Sequence, residues 1–177
     1  MQYLTGKPFS VAIGQGKMTA FDYAVAVGSI PAGIFRVVVD KGVLAGFKAR
    51  ALHSYPIEHC ECLWGKVENG TAYVSVIERV QVDEADETGV DIETGDFGEE
   101  LAGMSLMGTI HTHPDDTCEP SETDIEESIK AKEWFFGICA INKVNNRRYV
   151  SFAFFLPNGK TIELAISEPD KRRCPTT

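Results

Sequence analysis

The chain has 177 residues, 44% of them hydrophobic, with a formal net charge of −9 and a pI of about 4.9. That length and apolar content suit one domain of ordinary size with a real core. The acidity argues against a nucleic-acid partner, which needs clustered Lys and Arg, and no apolar run approaches the roughly 20 residues of a membrane-spanning helix, so no membrane partner is expected.

The N-terminus, MQYLTGKPFS, lacks a basic region followed by an apolar stretch, so no secretory signal is expected. Five cysteines, Cys60, Cys62, Cys118, Cys139 and Cys174, are odd in number and irregular in spacing. No disulfide framework is expected, and a reducing, cytoplasmic setting is the default. Cys60 and Cys62 lack the two-residue gap of a zinc knuckle and read as ordinary strand cysteines.

Residues 1–33 read as an N-terminal β extension with a Gly-Gln-Gly turn. IFRVVVD, 34–40, alternates and is β-branched, which predicts a strand. In 41–55, Leu44, Phe47, Ala51 and Tyr55 recur at helical spacing while Lys48 and Arg50 fall off that stripe. That predicts an amphipathic helix, ended by Pro56. A strand over 57–67 follows, with Glu58 at its start. Asn69-Gly70 is a hairpin signal, and 71–82 is the returning strand.

Residues 82–100 carry many acids and no base, and read as a solvated loop or as a flexible flap. EELAG, 99–103, suggests one helical turn within that segment, and MSLMGTIHTH, 104–113, predicts a buried central strand. Ser121 then looks like a helix N-cap with an acid three residues on, and Ile125, Ile129 and Trp134 form the buried face. Strands follow over 135–141, 149–156 and 160–166, and the tail 167–177 is polar. This order predicts one α/β domain over 34–166, built on a central mixed, mostly antiparallel β-sheet flanked by helices.

The stretch from Gly108 to Asp124, GTIHTHPDDTCEPSETD, carries the chemistry. On a strand, residues i and i+2 face the same side, so His111 and His113 present both imidazoles together. Pro114 stops the strand, and the chain can return to place Ser121 and Asp124 on a first helical turn. Two imidazole nitrogens and one carboxylate oxygen are ligands zinc accepts, with a fourth position left for water as in catalytic sites. Taken singly, a His-x-His pair on a strand is more often structural, and Ser-x-x-Asp is mostly a plain cap. Their conjunction at this spacing is what points to Zn2+. A hydrolytic site also needs a general base. Asp115, Asp116 and Glu119 lie on the nearby loop and Glu58 on a strand that could neighbour the histidines. Spacing does not choose among them.

The two stretches together resemble the motifs of the JAMM (MPN+, JAB-type) zinc metalloproteases. The family has HTHP, seven residues to Ser, then two to Asp, with an upstream segment P-x-E-x-C-G-L-L-x-G. PIEHCECLWG, 56–65, is similar, with Glu61 in place of the usual Gly and Cys62 in place of an aliphatic residue. The resemblance spans residues 34 to about 156. It implies an MPN/cytidine-deaminase-like fold, His111, His113 and Asp124 as metal ligands, Glu58 as general base toward zinc-activated water, and Ser121 as a donor to the oxyanion. Family members of the proteasome-lid and COP9 type carry Cys at the place of Cys118, which reads here as loop packing, since a thiolate ligand would close the open site. The implied activity is a deubiquitinase-like isopeptidase cleaving after the C-terminal Gly-Gly of ubiquitin or a ubiquitin-like modifier. Trimming of small sulfur-carrier proteins is the alternative, followed by a non-catalytic scaffold, which the intact motif argues against. The acidic 82–103 segment takes the position of the family's first insertion, and is expected to order over a substrate tail.

Overall fold

The computed structural model describes residues 12–13, 16–17, 33–80, 82–92 and 96–168. β1 (Ala12–Ile13) and β2 (Gly16–Lys17) pair antiparallel. The remainder of the expected N-terminal extension and residues 169–177 of the tail lie outside the described residues. From there the order is β3 (Arg36–Asp40), α1 (Lys41–Ser54), β4 (Cys60–Glu68), β5 (Thr71–Arg79), β6 (Val82–Ala85) and β7 (Val90–Ile92). β8 (Glu100–Leu101), β9 (Met104–Pro114), α2 (Glu122–Ala131), β10 (Phe136–Val144), β11 (Arg147–Phe155) and β12 (Thr161–Ser167) complete it.

Local chemistry sets these bounds. The Asp40 carboxylate accepts from the N–H groups of Gly42 and Val43 at 2.8 and 3.2 Å, capping α1. Tyr55, before Pro56, is extended at φ −51° and ψ 132°, as a pre-proline residue should be. Leu44, Phe47 and Ala51 of α1 are buried as the stripe predicts, while Tyr55 stands at its C-cap. Arg50 does not point away: its guanidinium reaches the buried Glu61. EELAG is not a helical turn. Glu100 and Leu101 form β8 and pair with Ser105 and Met104 across a tight turn.

The expected helix-flanked sheet is overturned. Seven strands close into a mixed barrel in the order β10-β11-β12-β3-β5-β4-β9, and β9 returns to β10. Four of the pairings are antiparallel and three parallel. Strands predominate, and the described residues hold two helices. Closure depends on the parallel register from Ile110↔Gly137 to Pro114↔Ile141. Alternation along a strand reveals its inner and outer faces, but not whether the two ends of a sheet meet.

Three apolar clusters cover the strands. α1 packs Leu44, Phe47 and Ala51 into the main core with Val37, Val39, Leu63, Met107 and Phe154. Phe97 and Met104 cover Cys62, Trp64 and Leu106. Cys118 and Ile125 cover Phe136, Ile138 and Phe155. Strands β4 and β10 therefore have buried runs of six residues, Cys60–Gly65 and Phe136–Ile141, with both faces covered. Along α2 the fully buried residue is Ser128, Ile125 and Ile129 are partly covered, and Trp134 lies beyond the helix end. No described helix is long and apolar enough to cross a membrane.

Candidate metal centre

The site forms where β9 ends. His111 and His113 share one face of this strand, and the crossover from β9 to β10 delivers Asp124 on the first turn of α2. Ser121 is the α2 N-cap in a reciprocal capping box with Asp124. Its hydroxyl donates to Asp124 Oδ2 at 2.7 Å, and its N–H donates to the same oxygen at 2.6 Å. The cap thus fixes the carboxylate that faces the histidines.

His111 Nε2 lies 3.1 Å from His113 Nε2 and 3.2 Å from Asp124 Oδ1, and His113 Nε2 lies 3.5 Å from Asp124 Oδ2. Among the described residues this trio is the cluster that could hold a metal ion. Tetrahedral zinc about 2.0–2.1 Å from its ligands sets them roughly 3.3–3.4 Å apart. The observed edges bracket that value, so the donor set fits. The tautomer fits too. His113 Nδ1 lies 3.1 Å from the Thr117 carbonyl oxygen, which can only accept, so this nitrogen carries the proton. In the neutral ring the Nε2 lone pair is then left facing the cluster.

Electrostatics follow from burial and from this crowding. Burial pushes the Asp124 carboxyl up, but hydrogen bonds and charge from His111 and His113, helped by Ser121, hold it far below the ordinary carboxylate range. Burial lowers His113, and Asp124 outweighs it, leaving the imidazole above its usual value. Glu58 is half-buried and raised above the usual carboxylate value, chiefly by burial, with the two histidines opposing.

Glu58 reaches the site through the β4–β9 ladder. Cys60 stands opposite His111, and Thr112 N–H donates to His59 O at 2.9 Å. Continuing that register puts Glu58 across from His113. Glu58, His111, His113, Ser121, Asp124 and Glu133 line one cleft of about 820 Å³. The structure thus brings together all five residues singled out in the sequence. The Ser121 hydroxyl is engaged with Asp124.

The other candidate bases serve the loop. Asp115 accepts from the Tyr55 hydroxyl and from Lys143 N–H, the latter at 3.1 Å, and is held below the usual range by them. Asp116 accepts from Thr117 N–H through its carboxylate at 2.7 Å. Cys118 packs on the Phe136 cluster, with Sγ 3.3 Å from Ser151 Oγ.

Three features escaped the sequence reading. Thr112, between the ligands, turns the other way and pairs with His59. Glu61 is 0% exposed and gives its carboxylate to Arg50 and to His59 Nε2, at 2.7 Å from the latter. An acid inside the apolar run CECLWG was the available signal, since a buried charge needs a partner. Glu133 is 4% exposed, and no spacing rule marks it.

The family of prokaryotic homologs of the JAB domain matches residues 40–153, well over half of the chain. No curated protein matches. Among solved structures, the chain resembles the solution structure of a protein from Desulfitobacterium hafniense with TM-score 0.54, at 14% identity over 77% of this chain and 97% of that one. That likeness is one of fold. A JAB1/MPN domain protein from Archaeoglobus fulgidus matches with TM-score 0.47, at 21% identity over 73% of this chain and 98% of that one. A protein from Salinibacter ruber matches with TM-score 0.47, at 19% identity over 77% of this chain and 94% of that one. On the family match across residues 40–153, the chain belongs to the prokaryotic homologs of the JAB domain.

Proposed function

We propose that the chain is a zinc-dependent peptidase or isopeptidase that cuts after the C-terminal Gly-Gly of a ubiquitin-like protein. The observation that carries this reading is the convergence of two imidazoles and a carboxylate at zinc spacing, in a cleft that also holds Glu58. Zinc held by His111, His113 and Asp124 would supply a Lewis acid and a water of lowered pKa.

The chain's own residues do the rest. Glu58 is half-buried and raised, so its carboxylate is poised to accept a proton from the attacking water and return it to the leaving amine. The Thr117 carbonyl fixes the His113 ring. The Ser121 hydroxyl, at the mouth of the site, would turn from Asp124 to the developing oxyanion, a contact worth roughly 3 kcal/mol where it forms. The extended tail would lie along the cleft beside the 82–92 segment.

The test is cleavage by the zinc-loaded chain of a panel of Gly-Gly fusions, including ubiquitin, ubiquitin-like modifiers and small sulfur-carrier proteins. Glu58→Gln should abolish turnover with metal content unchanged. Full activity in that variant would remove Glu58 as the base, and no zinc-dependent cleavage of any fusion would overturn the reading.

A further inference from the structure

The metal site occupies one end of the cleft, and the other end has chemistry of its own. Thr109 precedes His111 by two residues on the same face of β9, and its hydroxyl donates to Glu133 Oε1 at 2.7 Å. Gly108 makes this approach possible. A Cβ at Gly108 would stand 1.7 Å from the Phe135 carbonyl oxygen, so only glycine lets the chain leaving α2 press against β9. Trp134 N–H donates to Met107 O at 2.8 Å and seats the segment. Glu133 is thereby held beside Thr109, one ladder step from the ligands.

Glu133 is 4% exposed, yet it lines the cleft. No Lys, Arg or His pairs with it among the described residues, and Thr109 is its one hydrogen-bond donor among them. Burial lifts the group to about 7, partly offset by Thr109. The metal-ligating cluster found among the described residues does not include it. The cleft lining has seven acidic residues and no Lys or Arg. Of the seven, Asp124 and Glu58 serve the metal site, Asp115 and Asp116 accept hydrogen bonds within the loop, and Glu127 pairs with Lys130. Val90, Ile92 and Phe97 give the cleft an apolar wall. Phe97 packs on the cluster of Cys62, which stands opposite Thr109, and so lies at the Glu133 end.

An apolar wall leading to a buried carboxylate suits a long aliphatic stem with a cationic head. We propose that Glu133 and Thr109 form the base of a subsite for a lysine-type side chain of the protein or peptide substrate. As a subsite of a peptidase cleft this rests on the function proposed above; as a binding site for an alkylammonium group it can be tested without turnover.

The experiment is an NMR titration of the zinc-loaded full chain with Nα-acetyl-lysine methylamide and, in parallel, Nα-acetyl-norleucine methylamide. The lysine probe should shift the amides of Thr109, Ala131 and Glu133 and bind about tenfold more tightly than the norleucine probe. In Glu133→Gln the two probes should bind within about twofold of each other. A free α-amine on alaninamide is the third probe, and equal binding of it would make the subsite one for chain termini and overturn the side-chain assignment. Equal binding of lysine and norleucine probes by the unaltered chain overturns the proposal with no variant needed. So does a lysine preference that survives in Glu133→Gln. Lysine preference without cleavage of any Gly-Gly fusion would sink the hydrolytic reading and leave the subsite standing.

Discussion

His59 and Thr112 grip each other twice. His59 N–H donates to Thr112 Oγ1 at 2.9 Å, and Thr112 N–H donates to His59 O at 2.9 Å. Thr112 lies between the two histidine ligands, and His59 follows the acid. This pair therefore sets the separation of Glu58 from the metal site. Behind it, the His59 ring leans on Glu61 and Glu61 on Arg50, so the acid is braced from α1 through β4 to β9.

Thr112→Val keeps the shape and removes the acceptor. The orphaned His59 N–H should cost about 1–2 kcal/mol of stability. Turnover should fall in kcat with metal content unchanged, and Thr112→Ser should restore it. A valine variant with full kcat would show that the second hydrogen bond does not position Glu58.

Removing a ligand should separate metal binding from folding. His111→Ala and Asp124→Asn should each lose stoichiometric zinc by elemental analysis. A chelator should lower the thermal midpoint of the unaltered chain and leave the variants unmoved. Free metal at 100 times its dissociation constant would correspond to about 2.7 kcal/mol of stabilisation. Undiminished zinc in both variants would place the ion elsewhere.

Arg50→Met leaves the Glu61 carboxylate buried with only His59 beside it. The expected loss is about 3–5 kcal/mol, with most of it recovered in the Arg50→Met, Glu61→Met double variant. Burial raises Glu61, but the hydrogen bond from Arg50 and that from His59 more than offset it and hold the group below its usual value. Its stabilising contribution is therefore present above about pH 4.3 and lost as pH falls through the lower folded value. The stability gap between the unaltered chain and Arg50→Met should narrow in that acid window in denaturant melts.

Glu133 has the opposite sign. Its folded value is about 7, raised by burial, so the folded chain keeps a proton that the unfolded chain releases. Its contribution is complete below about pH 4.3 and gone above 7, a swing of roughly 4 kcal/mol. Glutamine has no such dependence. Between pH 5 and 8 the thermal midpoint of Glu133→Gln should rise relative to the unaltered chain. A constant difference would mean that Glu133 is ionised throughout.

The ribbon of β6 and β7 is tied to the acid as well, since Glu58 N–H donates to Asp86 O at 2.7 Å. Deleting residues 86–98 with zinc retained should raise KM for a Gly-Gly fusion, because an extended tail would lose its neighbouring strand. Unchanged kinetics would reduce the segment to a linker.

What was legible in the chain was local. His111, His113 and Asp124 announce themselves because strand period and helix capping are short-range rules. Glu58 needed the family pattern, since its partner strand lies about 50 residues away, at the distance where spacing says nothing. Barrel closure was hidden for the same reason: the Ile110↔Gly137 pairing is not local. Arg50 was misplaced because an off-stripe arginine reads as solvated unless the buried acid at Glu61 is matched to it. Glu133 looked like one more surface acid at a helix exit. Only the close approach at Gly108 turns it inward.

The seam between β9 and β10 makes the ligand set a reporter on assembly. Two ligands lie on one side of the closing pair, and the third comes from the segment that must cross over before the pair can zip. A nascent chain that has made only its hairpins holds two imidazoles and no carboxylate beside them. Metal affinity should therefore appear only once the β9–β10 register has formed. Once bound, the ion would resist reopening of the cylinder at the parallel seam beside the site.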